Sequence, residues 1–118
     1  MDQTRDPFRQ ERERQNNRVL SYAGTTLKRL WHLDAMAYNE GALDGKTKEM
    51  LGLVASLVLR CDDCIRYHTD RCHEEGMSDA EMEELVTVGM TVGGSITVPH
   101  IRRLVDRWDE LQGRAESE

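Results

Sequence analysis

Lys46 to Gly76 reads KTKEMLGLVASLVLRCDDCIRYHTDRCHEEG. Its first half sets Met50, Leu51, Val54, Leu57 and Val58 at spacings of three and four. That is the period of a helix with one apolar side, and it places Glu49 in the first turn. The run ends near Arg60. A second helical segment extends from about Asp62 to Glu75 and closes at Gly76, a residue suited to the left-handed turn that ends a helix. Two consecutive helices with a short connection are the unit from which the rest of the chain is read.

Downstream, Ser78-Asp-Ala-Glu81 is a capping box that opens a helix carrying Met82, Leu85, Val86 and Met90. Gly93-Gly94-Ser95 interrupts it, either as a plain break or as a point of close helix approach or a pocket lining. Pro99 then sits in the first turn of a last helix through Ile101, Leu104, Val105, Trp108 and Leu111. Upstream, Leu20, Leu27, Leu30, Trp31, Leu33 and Met36 predict one helix from about Val19 to Tyr38, stopped by Asn39-Glu-Gly41. Asp6-Pro7 reads as a cap and first helical residue opening a very polar stretch, helical only if a partner covers it. No strand-like alternation appears. The expectation is an all-α fold, a compact bundle of about five helices, with a polar arm over residues 1–17, one domain over 18–112 and a polar tail over 113–118.

With 118 residues the chain has room for one domain, and with aromatics at 5% it has few large side chains to fill a core. Small helical chains of this kind gain burial by assembling with copies of themselves. A net charge of −6 argues against nucleic acid and anionic membrane as partners, since both select basic surfaces. No apolar run is long enough to span a bilayer, and the start MDQTRDPFRQ lacks the apolar stretch of a signal peptide. A cytoplasmic location is expected. In that reducing setting a close cysteine pair reads as redox-active, catalytic or metal-binding before it reads as structural.

The pattern Glu49-x11-Cys61-x2-Cys64-x3-His68 carries the chemistry. At a helix start, free N–H groups and the positive end of the helix dipole favour thiolate at Cys61 and Cys64. A sulfenic acid formed on either sulfur can condense with the other. His68 follows Cys64 by four and Cys61 by seven, on one helix face, and can hold or pass a proton near neutral pH. Glu49, on the preceding helix, can fold back to orient the imidazole. Asp62 and Asp63 oppose thiolate formation unless they turn to solvent. A zinc site is the competing reading. Cys61 and Cys72 would stand about 16 Å apart on one helix at roughly 1.5 Å per residue, too far for a shared metal, which leaves Cys61, Cys64 and His68 as a three-ligand set. Cys72 reads as a small buried residue, His32, His73 and His100 as surface or packing residues, and the methionines as core. No cofactor is called for.

These pieces together resemble the alkylhydroperoxidase D-like members of the carboxymuconolactone decarboxylase family. The resemblance runs from about Leu27 to Leu111. It rests on Lys46-Thr-Lys-Glu49, Cys61-Asp-Asp-Cys64-Ile-Arg-Tyr-His68, Glu75-Gly76 with the capping box after it, and the Gly-Gly break before the last helix. It implies a helical fold that assembles as homotrimers or homohexamers and a hydroperoxide reductase cycling between dithiol and disulfide. Cys64 matches the peroxide-attacking cysteine and Cys61 the resolving one. Glu49 and His68 match the proton relay. Asp63 stands where the best-known members carry a further histidine. The reductant implied is a thiol, in some members a dihydrolipoyl protein. The decarboxylase branch shares the fold without depending on a C-x2-C pair, so a lyase using Glu49 and His68 is the alternative, with a non-catalytic redox-sensing oligomer as a third.

Overall fold

The computed structural model describes residues 6–114. Among them the chain forms six α-helices and one short 3-10 turn, with no strand. Contacts divide the chain into two units, with the boundary between Asn39 and Glu40.

The first unit holds α1 (Pro7–Tyr22) and α2 (Thr25–Met36). Asp6 caps α1 by accepting a hydrogen bond from the Phe8 N–H, with Pro7 at the first helical position. The helix buries no residue. Its polar surface carries an Arg14–Glu11 ion pair one turn apart. The single helix expected over Val19–Tyr38 is two. Ala23 and Gly24 are both extended, and Gly24 is the N-cap of α2. The apolar period continues across this break, which is why periodicity alone joins the two pieces.

The second unit holds α3 (Gly45–Leu59), α4 (Asp62–Glu74), α5 (Asp79–Gly93), the 3-10 turn Ser95–Thr97 and α6 (Val98–Leu111). Its core is Leu53, Leu57, Ile65, Cys72, Met77, Met82, Leu85, Leu104 and Trp108. Caps fix where each helix starts. The Asp44 carboxylate accepts from the Thr47 N–H ahead of α3. Both arms of the Ser78–Glu81 box are made ahead of α5. Because α3 begins at Gly45, Glu49 falls in its second turn and not its first. Gly76 takes a φ of +85° after α4, and Gly94 a φ of +83° after α5. At Gly89 and Gly93 there is no room for a side chain. A Cβ would come within 2.6 Å of Leu57 at the first and 2.6 Å of Thr97 at the second. The glycine pair therefore does two of the things expected of it, as Gly93 permits close approach and Gly94 ends the helix.

Three ion pairs tie α6 to α4. Arg107 grips Asp70 through two parallel hydrogen bonds of 2.7 and 3.0 Å, both side chains being buried. His100 and Arg103 hold Asp62 at the other end.

Candidate active site

Between Leu59 and Asp62 the chain turns sharply, with Arg60 at a φ of +61°, and enters α4 at Cys61. Cys61 is the N-cap, and its sulfur accepts a hydrogen bond from the Cys64 N–H at 3.3 Å. A sulfur thus occupies the place that a serine or aspartate oxygen usually takes at a helix start. Cys61 and Cys64 are joined as a disulfide with Cα atoms 5.3 Å apart. The bond lies at the surface. Cys64, Asp62 and Asp63 are exposed and Cys61 is partly so.

One turn further into the helix the setting changes from wet to dry. His68 and Glu49 are both buried, and His68 Nδ1 lies 2.9 Å from Glu49 Oε1. A carboxylate can only accept, so the bond requires the proton on Nδ1, and in the neutral ring it is then Nε2 that carries the lone pair. The structure therefore brings Glu49 of α3 and His68 of α4 together, puts Cys61 and Cys64 together at the start of α4, and sets His68 one helical turn beyond Cys64.

Two further residues complete the buried pair. Gly52 faces the imidazole from α3, where a Cβ would stand 2.7 Å from the ring. A glycine inside an apolar helical run, which costs about 1 kcal/mol of helix propensity, was the sequence signal available for it. Arg71 approaches the second oxygen of Glu49, Nε to Oε2 at 3.4 Å, while its other nitrogens engage Glu74 and Glu75. Partial burial disfavours the guanidinium charge. The hydrogen bond to Glu74 and the charge of Glu49 outweigh that cost and hold its pKa above the ordinary value. Glu49 thus has the imidazole on one oxygen and a cation beside the other.

Gly52→Ala is expected to push the His68 ring off Glu49. Overpacking of this kind costs about 1–3 kcal/mol. The rate of disulfide formation under oxidant should fall about tenfold or more, and the thermal midpoint should drop by about 4–8 °C for each kcal/mol of that strain. An unchanged rate would remove Gly52 from the site.

Asp62, read as a hindrance to thiolate, does not stand alone at the helix start. Its carboxyl is held below the ordinary range by the hydrogen bond from His100, helped by Arg103. His100 therefore has a partner that helical spacing could not foresee. Cys72 lies on the same helix with no exposure. Burial pushes its thiol up to about 12, with the negative charge of Glu49 adding to the effect. It is chemically quiet at neutral pH. His73 packs edge-on against Trp108.

A model of the carboxymuconolactone decarboxylase family matches residues 25–107. Protein TM1620 of Thermotoga maritima is similar along nearly the whole chain. One crystal structure of it superposes with a TM-score of 0.88 at 49% identity, covering 94% of this chain and 97% of that one. A second, described as a carboxymuconolactone decarboxylase family protein with a candidate involvement in antioxidative response, gives 0.84 and 50% over 90% of each chain. A carboxymuconolactone decarboxylase family protein of Legionella pneumophila shares the fold, with a TM-score of 0.75 at 17% identity over 98% of this chain and 100% of that one. In sequence, uncharacterized protein 4 of the cox locus of Paracoccus denitrificans is 25% identical over 81 residues, 69% of this chain and 73% of that protein.

Proposed function

Because the chain belongs to the carboxymuconolactone decarboxylase family, we propose that it works as one of its thiol-dependent members, reducing hydroperoxides through a dithiol–disulfide cycle at Cys61 and Cys64. The observation that carries this reading is the placement of the buried Glu49–His68 pair one turn below a cysteine pair at the start of α4. The candidate antioxidative role of the Thermotoga relative, half identical to this chain, points the same way.

The reaction runs as two displacements. The Cys64 thiolate attacks the outer oxygen of a hydroperoxide, the O–O bond breaks, and the alkoxide leaves with a proton from Cys61 to give the alcohol. Cys61 then attacks the Cys64 sulfenic sulfur. The disulfide forms and the hydroxide released takes the proton that His68 received from Cys64, leaving as water. His68 works through Nε2 while Glu49 fixes Nδ1. Two thiol protons and two electrons are consumed, and an external dithiol, such as a dihydrolipoyl group on a partner protein, returns them by thiol–disulfide exchange. The exposed position of Cys64 suits that exchange.

Assembly as a homotrimer or homohexamer and a cytoplasmic setting belong to the same proposal. Leu27, Leu30, Leu33 and Met36 are exposed on α2, an apolar surface that a second copy would cover. Among the described residues no helix is long and apolar enough to cross a membrane.

The test is intact-mass and peptide mapping of the reduced protein after brief exposure to stoichiometric organic hydroperoxide, with Cys64→Ser beside it. Fast appearance of a Cys61–Cys64 disulfide only when Cys64 is present is the expected result. Retained peroxide consumption by Cys64→Ser, or thiols that stay reduced in the native chain, would favour a lyase using Glu49 and His68. Oxidation without turnover would favour a redox sensor.

A further inference from the structure

The first turn of α4 contains two aspartates beside the cysteines, Asp62 and Asp63. A carboxylate there suits the helix dipole and at the same time disfavours a thiolate next to it. Asp62 is held by two residues of α6. His100 Nδ1 lies 2.7 Å from its Oδ1, and Arg103 Nη2 lies 3.1 Å from its Oδ2. Arg103 Nη2 also comes within 3.3 Å of His100 Nδ1. One ring nitrogen cannot both donate to the carboxylate and accept from the guanidinium. The shorter distance decides, so Nδ1–H donates to Asp62, and Arg103 spends its hydrogen bond on the other oxygen. Each oxygen of Asp62 thus has a cationic or donor partner reaching across from another helix. Of the other charged residues along this stretch, Arg60 precedes Cys61 and is exposed, and Asp63 is exposed.

Resting on the dithiol reading of Cys61 and Cys64, we propose that His100 and Arg103 are positioning residues for that reaction, acting through Asp62 to offset its charge beside the sulfurs and so to set the reduction potential of the pair. They do not touch the reacting atoms. The couple is dithiol to disulfide plus two protons and two electrons, and only the dithiol side carries a negative sulfur once a thiol ionises. A cation nearby stabilises that side, and an uncompensated carboxylate destabilises it. Losing either partner of Asp62 therefore shifts the equilibrium toward disulfide. Removing the carboxylate shifts it toward dithiol.

The experiment equilibrates the full chain with glutathione buffers of graded ratio at pH 8, where an ordinary thiol is partly ionised. The fraction oxidised is read after acid quenching for the native chain, His100→Gln, Arg103→Gln, Asp62→Asn and Asp62→Asn/Arg103→Gln. Arg103→Gln should favour the disulfide by about threefold, the size of one uncompensated charge several ångströms away in a half-exposed site, and His100→Gln should act in the same direction by less, since it disturbs a hydrogen bond and removes no fixed charge. Asp62→Asn should move the constant the opposite way, and Arg103→Gln should add nothing on top of it. Arg103 is exposed, so its loss leaves the fold standing. A constant that does not respond to Arg103→Gln, or responds equally with and without Asp62, overturns the proposal while the dithiol cycle stands. A native pair that never equilibrates with the buffer overturns the dithiol reading and this inference with it.

Discussion

Arg107→Ala is expected to destabilise the unit that carries the site by about 3–5 kcal/mol, the largest effect of any single truncation outside the apolar core. Asp70 and Arg107 are both buried and joined by two hydrogen bonds, and Arg107 also reaches Glu110 at 2.9 Å. Alanine takes the guanidinium from a carboxylate that burial has already removed from water, so the penalty is the exposed cost of the remaining charge and not the net worth of the pair. For a unit of this size each kcal/mol lowers the midpoint by about 4–8 °C. A thermal or urea melt followed by circular dichroism measures it. Replacing both residues, Arg107→Met with Asp70→Leu, should recover most of the loss, because no charge is then stranded. A single variant that melts with the native chain would show that the pair contributes nothing to holding α6 on α4.

The second large effect belongs to Glu49→Gln. The carboxylate oxygen is replaced by an amide that can present NH2 to His68, and a donor facing Nδ1 selects the tautomer with its proton on Nε2. The nitrogen proposed to take the thiol proton would then already hold one. Removal of general base function typically costs about 10²–10⁴ in rate, and an orienting carboxylate exchanged for its amide can cost as much through the tautomer alone. The measurement is the single-turnover rate of disulfide formation with excess hydroperoxide. Glu49→Gln should lower it about a hundredfold with the melt preserved, since Arg71 loses a charged neighbour but keeps Glu74 and Glu75. A rate within threefold of native would remove Glu49 from the relay and leave it as a packing group.

Local signals were legible where one helix end or one helix face contains all the information. The capping box at Ser78 and Glu81, Pro7 behind Asp6, Gly76 behind α4 and the spacing of Glu49, Cys61, Cys64 and His68 are of this kind. Each is closed by residues a few positions apart or on consecutive helices. The break at Ala23-Gly24 was hidden because an extended pair can sit between two helices without disturbing the apolar period. The rest was hidden by distance along the chain. Nothing about Arg107 marks it as the partner of Asp70, and nothing about His100 marks it as the partner of Asp62. In a chain this rich in charge, an arginine or histidine on a helix reads as solvated. Only the packing of α6 against α4 converts those residues into buried or half-buried pairs. Arg71 is the intermediate case, on the right helix but within reach of three carboxylates, and sequence alone does not choose among them.

Glu49 and His68 are separated by 19 positions, and both cysteines fall between them. The four proposed reacting groups thus come from one pair of neighbouring helices, with a single closed loop to bring them face to face. Contacts of short sequence separation form early because little chain entropy is lost in closing them. Once α3 and α4 have emerged, the acid–base pair can meet before α5 and α6 exist, and the later helices seal an arrangement already made.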